Sequence, residues 1–275
     1  MSNISVLMSV YKNDNPCHFE EALLSIWDNQ ILKPFEIVLI QDGAVSKSLN
    51  EIIFSWKKKL NSSLVLIVNN SNIGLTKSLN KGIKLCNGDF IARMDSDDIS
   101  STNRFQIQSE FLKNNPKIDL VGSFLQEFNK YGNLSLIRKY PIDNSEFKKI
   151  IHRSSPMCHA SVMFRRNIFD DGCLYNEKYK TSQDIALWFE LLSKGYTFAN
   201  INKVLYHARL DDYFYKRRSY KKALNEFEIY WNGIIKVFGY STKLIFPIFR
   251  LIVRLLPSPI TKVIYFSNLR KFLNS

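Results

Sequence analysis

Short apolar runs alternate with segments of helical periodicity over the first hundred residues of the chain. The apolar runs predict strands at residues 4–11, 35–40, 64–68 and 90–94. Between them, apolar residues recur every three or four positions, which predicts helices at residues 19–30, 49–60 and 75–86. Strands that alternate with helices are typical of a parallel, doubly wound sheet, so we expect an α/β protein.

The pattern is less regular beyond residue 100. It predicts helices at residues 103–114, 145–152 and 185–193, strands at 118–122 and 204–209, and a hairpin over 127–140. A loop that leads into a strand is predicted at residues 156–164. Because no internal repeat or low-complexity segment interrupts this region, we expect one domain over residues 1–230.

The last part of the chain, residues 231–275, has a different character. Residues 244–256 are apolar except for Pro247, Arg250 and Arg254, and on a helix Lys243, Arg250 and Arg254 point within about 20° of one direction. We therefore expect a basic amphipathic helical tail that lies in a membrane interface, with its basic side on anionic headgroups. The alternative is a helix packed on the domain or in a homodimer. No apolar run is long enough to span a bilayer.

Charge and cysteine content narrow the function classes. The chain has 275 residues and a net charge of +13, and seven basic residues but no acidic one follow Glu228. This basic tail is too apolar for a typical nucleic-acid surface, so we expect no nucleic-acid partner. The four cysteines are widely spaced without a C-x-x-C pair, which argues against a zinc site or disulfide framework and fits a reducing compartment. The N-terminus lacks the pattern of a signal peptide.

Carboxylates follow the apolar run at residues 90–94. Asp95, Asp97 and Asp98 lie within four positions of one another, and like charges this close need a counter-charge. Magnesium or manganese suits such hard oxygen ligands and binds phosphates in turn. Asp42 and Asn72 follow the ends of two other predicted strands, at the edge where α/β proteins bind ligands. The alternative is a solvated acidic turn that caps the next helix.

Phosphate binding by glycine-rich loops is not indicated. The chain has neither G-x-G-x-x-G after its first strand nor G-x-x-x-x-G-K-[ST]. A metal held by carboxylates is therefore the more natural phosphate anchor in this sequence.

Six segments together resemble the family 2 glycosyltransferases of bacteria. They are S-V-L-M-S-V-Y at 5–11, Q-D-G at 41–43, N-I-G-L at 72–75 with L-N-K-G at 79–82, G-D-F-I-A-R-M-D-S-D-D at 88–98, the run at 156–164, and Q-D at 183–184 before L-W. The resemblance implies the GT-A fold, a Rossmann-like α/β/α sandwich. It also implies inverting, metal-dependent transfer of a hexose or N-acetylhexosamine from a nucleotide diphosphate sugar, usually a UDP-sugar.

The resemblance also implies roles for individual residues. The nucleotide side would comprise Tyr11, Asp42, Asn72, Lys77, Arg93 and Asp95, and Asp97 with Asp95 would hold Mn²⁺ or Mg²⁺. Asp184 would be the catalytic base that takes the proton of the acceptor hydroxyl. The acceptor or phosphate side would comprise His159, Arg209, Arg217 and Arg218. Structural alternatives are a helix N-cap for Asp184, a buried and satisfied histidine for His159, and a solvated helix start for Arg217 and Arg218.

The same resemblance implies a setting. We expect a cytoplasmic enzyme, peripheral on the inner face of the plasma membrane, that acts on a saccharide or polyprenol-linked acceptor in surface polysaccharide, lipopolysaccharide or O-antigen biosynthesis. Two alternatives stay open. A nucleotidyltransferase of similar fold would need a glycine-rich basic signature near the N-terminus, which is absent. A non-catalytic basic module would bind membrane or nucleic acid without binding nucleotide sugars.

Overall fold

A computed structural model describes residues 3–129, 134–210 and 220–255 of the chain. Nine strands in these ranges form one sheet: β1 Ile4–Val10, β2 Glu36–Gln41, β3 Leu64–Val68, β4 Phe90–Met94, β5 Ile99–Ser100, β6 Leu120–Phe128, β7 Leu134–Arg138, β8 Met163–Arg165 and β9 Phe198–Arg209. Their order is β3-β2-β1-β4-β8-β6-β9-β5, and β7 pairs with β6.

The helices of the same ranges pack on the two faces of this sheet, and α8 and α9 are the last of them in the chain. They are α1 Pro16–Ile26, α2 Lys47–Leu60, α3 Leu75–Ile83, α4 Arg104–Asn114, α5 Asn144–Ile150, α6 Asn167–Asp170, α7 Gln183–Ser193, α8 Tyr220–Phe238 and α9 Ile245–Leu255.

The first half of the sheet is parallel and buried on both faces. Strands β3, β2, β1 and β4 run side by side in parallel. Successive side chains point to opposite faces, so Leu7 and Val38 join one hydrophobic cluster while Val6 and Ile37 join the other. Burial on both faces explains why these strands read as continuous apolar runs.

The second half of the sheet is mixed and curls back toward the first. β8 is antiparallel to both β4 and β6, β9 is parallel to β6, and β5 is antiparallel to β9. β5 follows β4 after a turn of residues 95–98, yet it lies at the far end of the strand order. The sheet must therefore curl, and this brings the end of β9 against the turn that follows β4.

The strands and helices expected from the sequence are largely present, with informative differences. β9 begins at Phe198, six residues before the predicted start, because exposed Asn202 and Lys203 interrupt its apolar pattern. β6 likewise extends well beyond residue 122. The short elements β5 and α6 were not predicted. The hairpin between β6 and β7 is confirmed, and residues 130–133 between its two strands lie outside the described residues.

The C-terminal helices pack on the domain in an orientation that corrects one expectation. α8 lies so close to α7 that a Cβ added at Gly233 would fall 2.3 Å from the Phe189 ring. On α9, Arg250 and Arg254 form ion pairs with Glu226 of α8, at 2.5 and 2.6 Å. The prediction that these arginines face lipid headgroups is therefore wrong, because a buried carboxylate draws them inward.

The opposite side of α9 is apolar and exposed. Its outward residues recur at helical spacing and are 42–65% exposed: Ile245, Ile248, Ile252 and Leu255. Lys243 lies over the Phe238 ring, 5.3 Å from its centroid. The domain boundary expected at residue 230 falls within α8, and residues 256–275 of the expected tail lie outside the described residues. Among the helices of the described ranges, none has the length and hydropathy needed to cross a bilayer.

Candidate active site

Polar residues follow the carboxyl ends of three parallel strands. β1 is followed by Tyr11, which is 38% exposed, β2 by Asp42, and β4 by Asp95. β1 lies between the other two strands and pairs with both in parallel register. β3, which precedes Asn72, pairs with β2 in parallel as well, so the predicted convergence of the ends of β2, β3 and β4 at one edge is confirmed.

Four carboxylates crowd together at this edge. Asp95, Asp97 and Asp98 occupy the turn after β4, and Asp14 reaches the turn from the end of β1 by accepting a hydrogen bond from the Ser96 hydroxyl at 2.8 Å. Burial and the nearby charges of Asp97 and Asp95 raise the pKa of Asp14 to about 6. Partial burial and the charge of Asp95 raise the pKa of Asp97, and burial raises that of Asp98 well above its ordinary value. Burial and mutual repulsion thus both disfavour the ionised forms of these carboxylates.

Arg93, on β4, supplies a buried positive charge beneath the turn. Its side chain is only 2% exposed, and its Nη2 forms an ion pair with Asp95 Oδ1 at 2.6 Å. Its Nε and Nη1 have no hydrogen-bond partner among the described residues. Buried donors are normally satisfied, so these N–H groups indicate that a polar ligand or water completes the site.

Asp184 lies in the first turn of α7, and its position depends on an unusual backbone conformation. Ser182, which precedes α7, has φ +58°, a left-handed value that is uncommon outside glycine. The Ser182 side chain makes no capping hydrogen bond, so helix capping does not explain this conformation. The left-handed residue instead sets the direction in which the chain enters α7. Burial raises the pKa of Asp184, hydrogen bonds from backbone N–H groups and the charge of Arg93 lower it, and the charge of Asp95 raises it. Asp184 and the turn acids therefore share one electrostatic environment.

His159 is buried among aromatic side chains. Its Nε2 hydrogen-bonds the Tyr175 hydroxyl at 2.7 Å, and its ring makes edge contacts with Tyr175 and Trp188. Burial and the charge of Arg93 hold its pKa well below the ordinary value. His159 thus packs against Tyr175 and against Trp188 of α7 with its hydrogen bond satisfied, as the structural alternative expects.

Asp42 organises the loop between β3 and α3 with its own carboxylate. Oδ1 accepts from Asn69 Nδ2 and the Ile73 N–H at 3.0 and 2.8 Å, and Oδ2 accepts from the Gly74 N–H at 2.9 Å. Asn72 donates to the Asp42 carbonyl at 3.3 Å. These bonds position the start of α3.

Two other predicted residues lie near this edge. Lys77 is exposed in the first turn of α3. Arg209, at the end of β9, donates from Nε to the Asp97 carbonyl at 2.9 Å and forms an ion pair with Glu21. The structure thus brings Arg209 to the acidic turn. Arg217 and Arg218 lie outside the described residues.

The sequence analysis missed three residues that the fold delivers to the turn. Asp14 follows β1 in what reads as a polar loop, Tyr206 comes from β9, and Glu21 comes from α1. Asp14 stands four residues after an apolar strand, which is a local signal. Tyr206 and Glu21 have no local signal, because only the curl of the sheet brings them here.

The turn fits a divalent cation only in part. Its carboxylates supply the hard oxygen ligands that magnesium or manganese prefers. Within the described ranges, however, no group of three or more Asp, Glu, His or Cys side chains is arranged to hold a metal ion by itself. A cation at Asp97 and Asp95 would thus need further oxygen ligands from a bound phosphate or from water.

Sequence comparisons relate the chain to sugar-transferring enzymes. The sequence profile of glycosyl transferase family 2 matches residues 5–173. The UDP-Gal:alpha-D-GlcNAc-diphosphoundecaprenol beta-1,3-galactosyltransferase of Escherichia coli is 36% identical over 98% of this chain and 97% of its own length. The amylovoran biosynthesis glycosyltransferase AmsE of Erwinia amylovora is 31% identical over 95% of this chain and 97% of its own length.

Solved structures give the same fold. TarS of S. aureus in complex with UDP-GlcNAc superposes with a TM-score of 0.67 at 18% identity, covering 98% of this chain and 75% of that one. The mannosyltransferase PcManGT of Pyrobaculum calidifontis in complex with GDP-Man and Mn²⁺ has a TM-score of 0.66 at 13% identity, covering 99% of this chain and 83% of that one. At these identities the likeness establishes the fold, and the expected GT-A architecture is confirmed.

Proposed function

The chain belongs to glycosyl transferase family 2, and from that membership we propose that it transfers one hexose or N-acetylhexosamine from a UDP-sugar to a polyprenol-linked saccharide. The E. coli relative is named for a UDP-Gal donor and a GlcNAc-diphosphoundecaprenol acceptor. Because that relative aligns over nearly the whole chain, UDP-galactose is the first donor to test. The product would be an intermediate of a bacterial surface polysaccharide such as O-antigen.

One observation carries this proposal: the acids of the turn after β4 and Asp184 of α7 share an environment around the buried, incompletely bonded Arg93. Sugar transfer needs a site for the leaving diphosphate and a separate base for the acceptor hydroxyl. The turn with Arg93 suits the first requirement, since Arg93 places a buried positive charge directly beside the turn. Asp184, on another element, suits the second.

The proposed reaction is a single inverting displacement. The acceptor hydroxyl oxygen attacks the anomeric carbon from the face opposite the diphosphate, and the bond from that carbon to the diphosphate oxygen breaks. The hydroxyl proton passes to a carboxylate oxygen of Asp184. Because the protein environment raises the pKa of Asp184, the carboxylate is a stronger base than an ordinary aspartate. UDP leaves with the electron pair of the broken bond.

Asp97 and Asp95 are the residues proposed to hold Mn²⁺ or Mg²⁺ together with the donor diphosphate. A bound divalent cation would stabilise the negative charge that develops on the leaving group. The nucleotide would lie along the ends of β1 and β2, against Tyr11 and near Asn72 and Lys77. Asp42 would contribute mainly through the loop that it braces.

The first test is release of nucleoside diphosphate from a panel of UDP-, GDP- and dTDP-sugars by the full chain, with Mn²⁺, Mg²⁺ or EDTA. Slow hydrolysis of the donor needs no acceptor. We expect release from one donor that EDTA abolishes, strong loss in Asp97→Ala, and loss of transfer in Asp184→Ala. Asp170→Ala is the matched control, because Asp170 is an exposed aspartate on α6. Absence of both turnover and nucleotide binding across the panel would contradict the proposal.

We further propose that the enzyme is cytoplasmic and lies on the inner membrane surface through residues 231–275. The support is the exposed apolar side of α9, where Ile248 is 42% and Ile252 is 53% exposed. Residues 256–275 follow directly and carry Lys262, Arg270 and Lys271 without an acidic residue. An apolar helix face beside basic sequence is typical of segments that bind anionic bilayers.

Flotation with vesicles tests this location. We expect the full chain to float with vesicles that contain phosphatidylglycerol and cardiolipin, and Ile248→Asp/Ile252→Asp to remain in the dense fraction. Phe54→Asp is the matched control, since Phe54 is an exposed apolar residue on α2, 68% exposed. Wild-type protein that stays unbound, or a double variant that floats equally well, would contradict membrane docking by α9.

A further inference from the structure

The hydroxyl of Tyr206 joins the two ends of the acidic turn. β4 pairs with β1 only as far as Met94, so the peptide groups of residues 95–98 need other partners. The Tyr206 Oη accepts a hydrogen bond from the Asp95 N–H at 3.2 Å and donates one to Asp98 Oδ2 at 2.9 Å. A single buried oxygen atom thereby fixes the separation between the first and last residues of the turn.

The end of β9 supplies further links to the same turn. The Arg209 N–H donates to Asp98 Oδ1 at 2.7 Å, so both carboxylate oxygens of Asp98 are bound by β9. β9 also pairs with β5 directly after the turn, with Ser100 opposite Tyr206. The turn is therefore attached to β9 at its start, at its end and immediately beyond.

Arg104 packs against the Tyr206 ring and restricts its position. The Arg104 guanidinium lies 5.2 Å from the ring centroid, and both side chains are fully buried. Arg104 Nη2 donates to the Arg93 carbonyl at 2.7 Å, and Arg104 Nε donates to Gln108 Oε1 at 3.0 Å. A buried cation on an aromatic face favours one ring position. Tyr206 thus forms a rigid connection between α4, β9 and the end of β4.

We propose that Tyr206 is a positioning residue, which holds the turn of Asp95, Asp97 and Asp98 in the geometry that binds a metal–nucleotide complex. Mutual repulsion between these carboxylates would otherwise open the turn before a cation arrives. A site that is fixed in advance binds its ligand more tightly, since less ordering is required on binding. This inference rests on the proposed function, because it assumes that a metal–nucleotide complex binds at the turn.

Calorimetric titration with UDP, in the presence of Mn²⁺ and separately in EDTA, tests the inference on the full chain. In Tyr206→Phe we expect the Kd for UDP with Mn²⁺ to rise about tenfold, as for loss of one buried hydrogen-bonding group, and the Kd in EDTA to stay within about twofold. Tyr196→Phe is the matched control. Its hydroxyl donates to Asp171 at 2.7 Å, close to the other end of β9.

Asp98→Asn provides a second variant that leaves the ring in place. One amide oxygen cannot replace both carboxylate oxygens that accept from Tyr206 and Arg209, so the same selective loss of Mn²⁺-dependent binding is expected. Thermal melting identifies any variant that fails to fold. In transfer assays, Tyr206→Phe should raise the Mn²⁺ concentration for half-maximal activity.

The outcomes separate this inference from the proposed function. If wild-type protein binds UDP no better with Mn²⁺ than in EDTA, the metal part of the proposed function is wrong and this inference falls with it. If Mn²⁺ strengthens binding to wild type, but folded Tyr206→Phe and Asp98→Asn bind like wild type, the inference alone is overturned. Equal weakening with Mn²⁺ and in EDTA would also overturn it, because it would indicate general loosening of the cleft.

Discussion

Asp184 is buried between a positive charge, Arg93, and a negative one, Asp95, and together these influences set its pKa. Burial raises its pKa, while Arg93 and the N–H groups at the start of α7 lower it and Asp95 raises it. Only the ionised carboxylate can accept a proton, so interactions that stabilise the ionised form matter for a catalytic base. Besides its ion pair with Asp95, Arg93 therefore joins the backbone N–H groups at the start of α7 in lowering the pKa of Asp184, against the rise that burial causes.

We predict that Asp184→Asn lowers kcat by a factor of about 10²–10⁴, the usual contribution of a general base, and leaves nucleotide binding unchanged. The base must be ionised, so wild-type activity should fall as the pH falls through its pKa. Because that pKa is raised, the fall should occur at higher pH than for an ordinary aspartate. Initial rates across the acid range measure this, with Asp170→Asn as control. If Asp184→Asn turned over at the wild-type rate, Asp184 would not be the catalytic base.

Asp14 gives a second prediction, which concerns stability. Its folded pKa of about 6 lies above the ordinary value of 3.8, so its stabilising contribution is present below the ordinary value and is lost as the pH rises through about 6. Asp14→Asn does not ionise. It should therefore stabilise the metal-free protein at neutral pH by about 1–2 kcal/mol, after allowance for a weakened hydrogen bond. The stability gain of Asp14→Asn should vanish near pH 4, where Asp14 is protonated in the folded protein.

Urea unfolding in EDTA at neutral and acid pH measures this difference for Asp14. The exposed Asp170→Asn should show no comparable dependence on pH. A gain of equal size at both pH values would mean that charge crowding at the turn is not its cause.

At the scale of elements, the pair α8 and α9 is held by one carboxylate between two arginines. Glu226 is 9% exposed and pairs with Arg250 and Arg254, and Arg250 also lies 5.1 Å from the Tyr230 ring centroid. Arg250 Nη1 donates to the Arg153 carbonyl at 3.0 Å, so α9 is attached to the segment after α5 as well. This arrangement fixes which side of α9 faces outward.

Glu226→Gln should destabilise the chain by about 1–2 kcal/mol, since it leaves two arginines side by side without their counter-charge. The effect is smaller than for a fully buried pair because both arginines are partly exposed. Urea unfolding measures it. Glu228→Gln, on the same helix, is the control: Glu228 pairs with solvent-exposed Lys178, and its loss should matter much less. Equal effects of the two variants would contradict a structural role for Glu226.

Elements whose signal is local could be predicted from the sequence, and those that depend on distant partners could not. β4 and the acids after it are adjacent in the chain, and an apolar strand that runs into Asp95 is visible without a structure. The orientation of α9 was mistaken, because helical periodicity places Arg250 and Arg254 on one side but does not reveal Glu226 on another helix. Tyr206 was missed for the same reason: more than a hundred residues separate it from Asp95.

At the scale of the whole molecule, the proposed catalytic site and the proposed membrane-binding surface belong to different elements. The acidic turn and Asp184 are built from the sheet and α7, while the exposed apolar side of α9 belongs to the C-terminal helices. Arg250 and Arg254 pair with Glu226 of α8, and this fixes which side of α9 is apolar and exposed. Loss of the apolar side should therefore affect access to a membrane-borne acceptor without changing the chemistry.

We predict that Ile248→Asp/Ile252→Asp hydrolyses UDP-sugar at the wild-type rate but transfers sugar to a polyprenol-linked acceptor in vesicles at least about tenfold more slowly. Both side chains are exposed on α9, so aspartate there removes apolar contact with the bilayer and adds repulsion from anionic lipid. Transfer to the same acceptor dispersed in detergent should be nearly restored, because docking on a bilayer is then unnecessary. Phe54→Asp should behave like wild type in all three assays. Slow transfer in detergent as well would show that α9 supports the active site directly, and equal transfer in vesicles would show that another surface docks on the membrane.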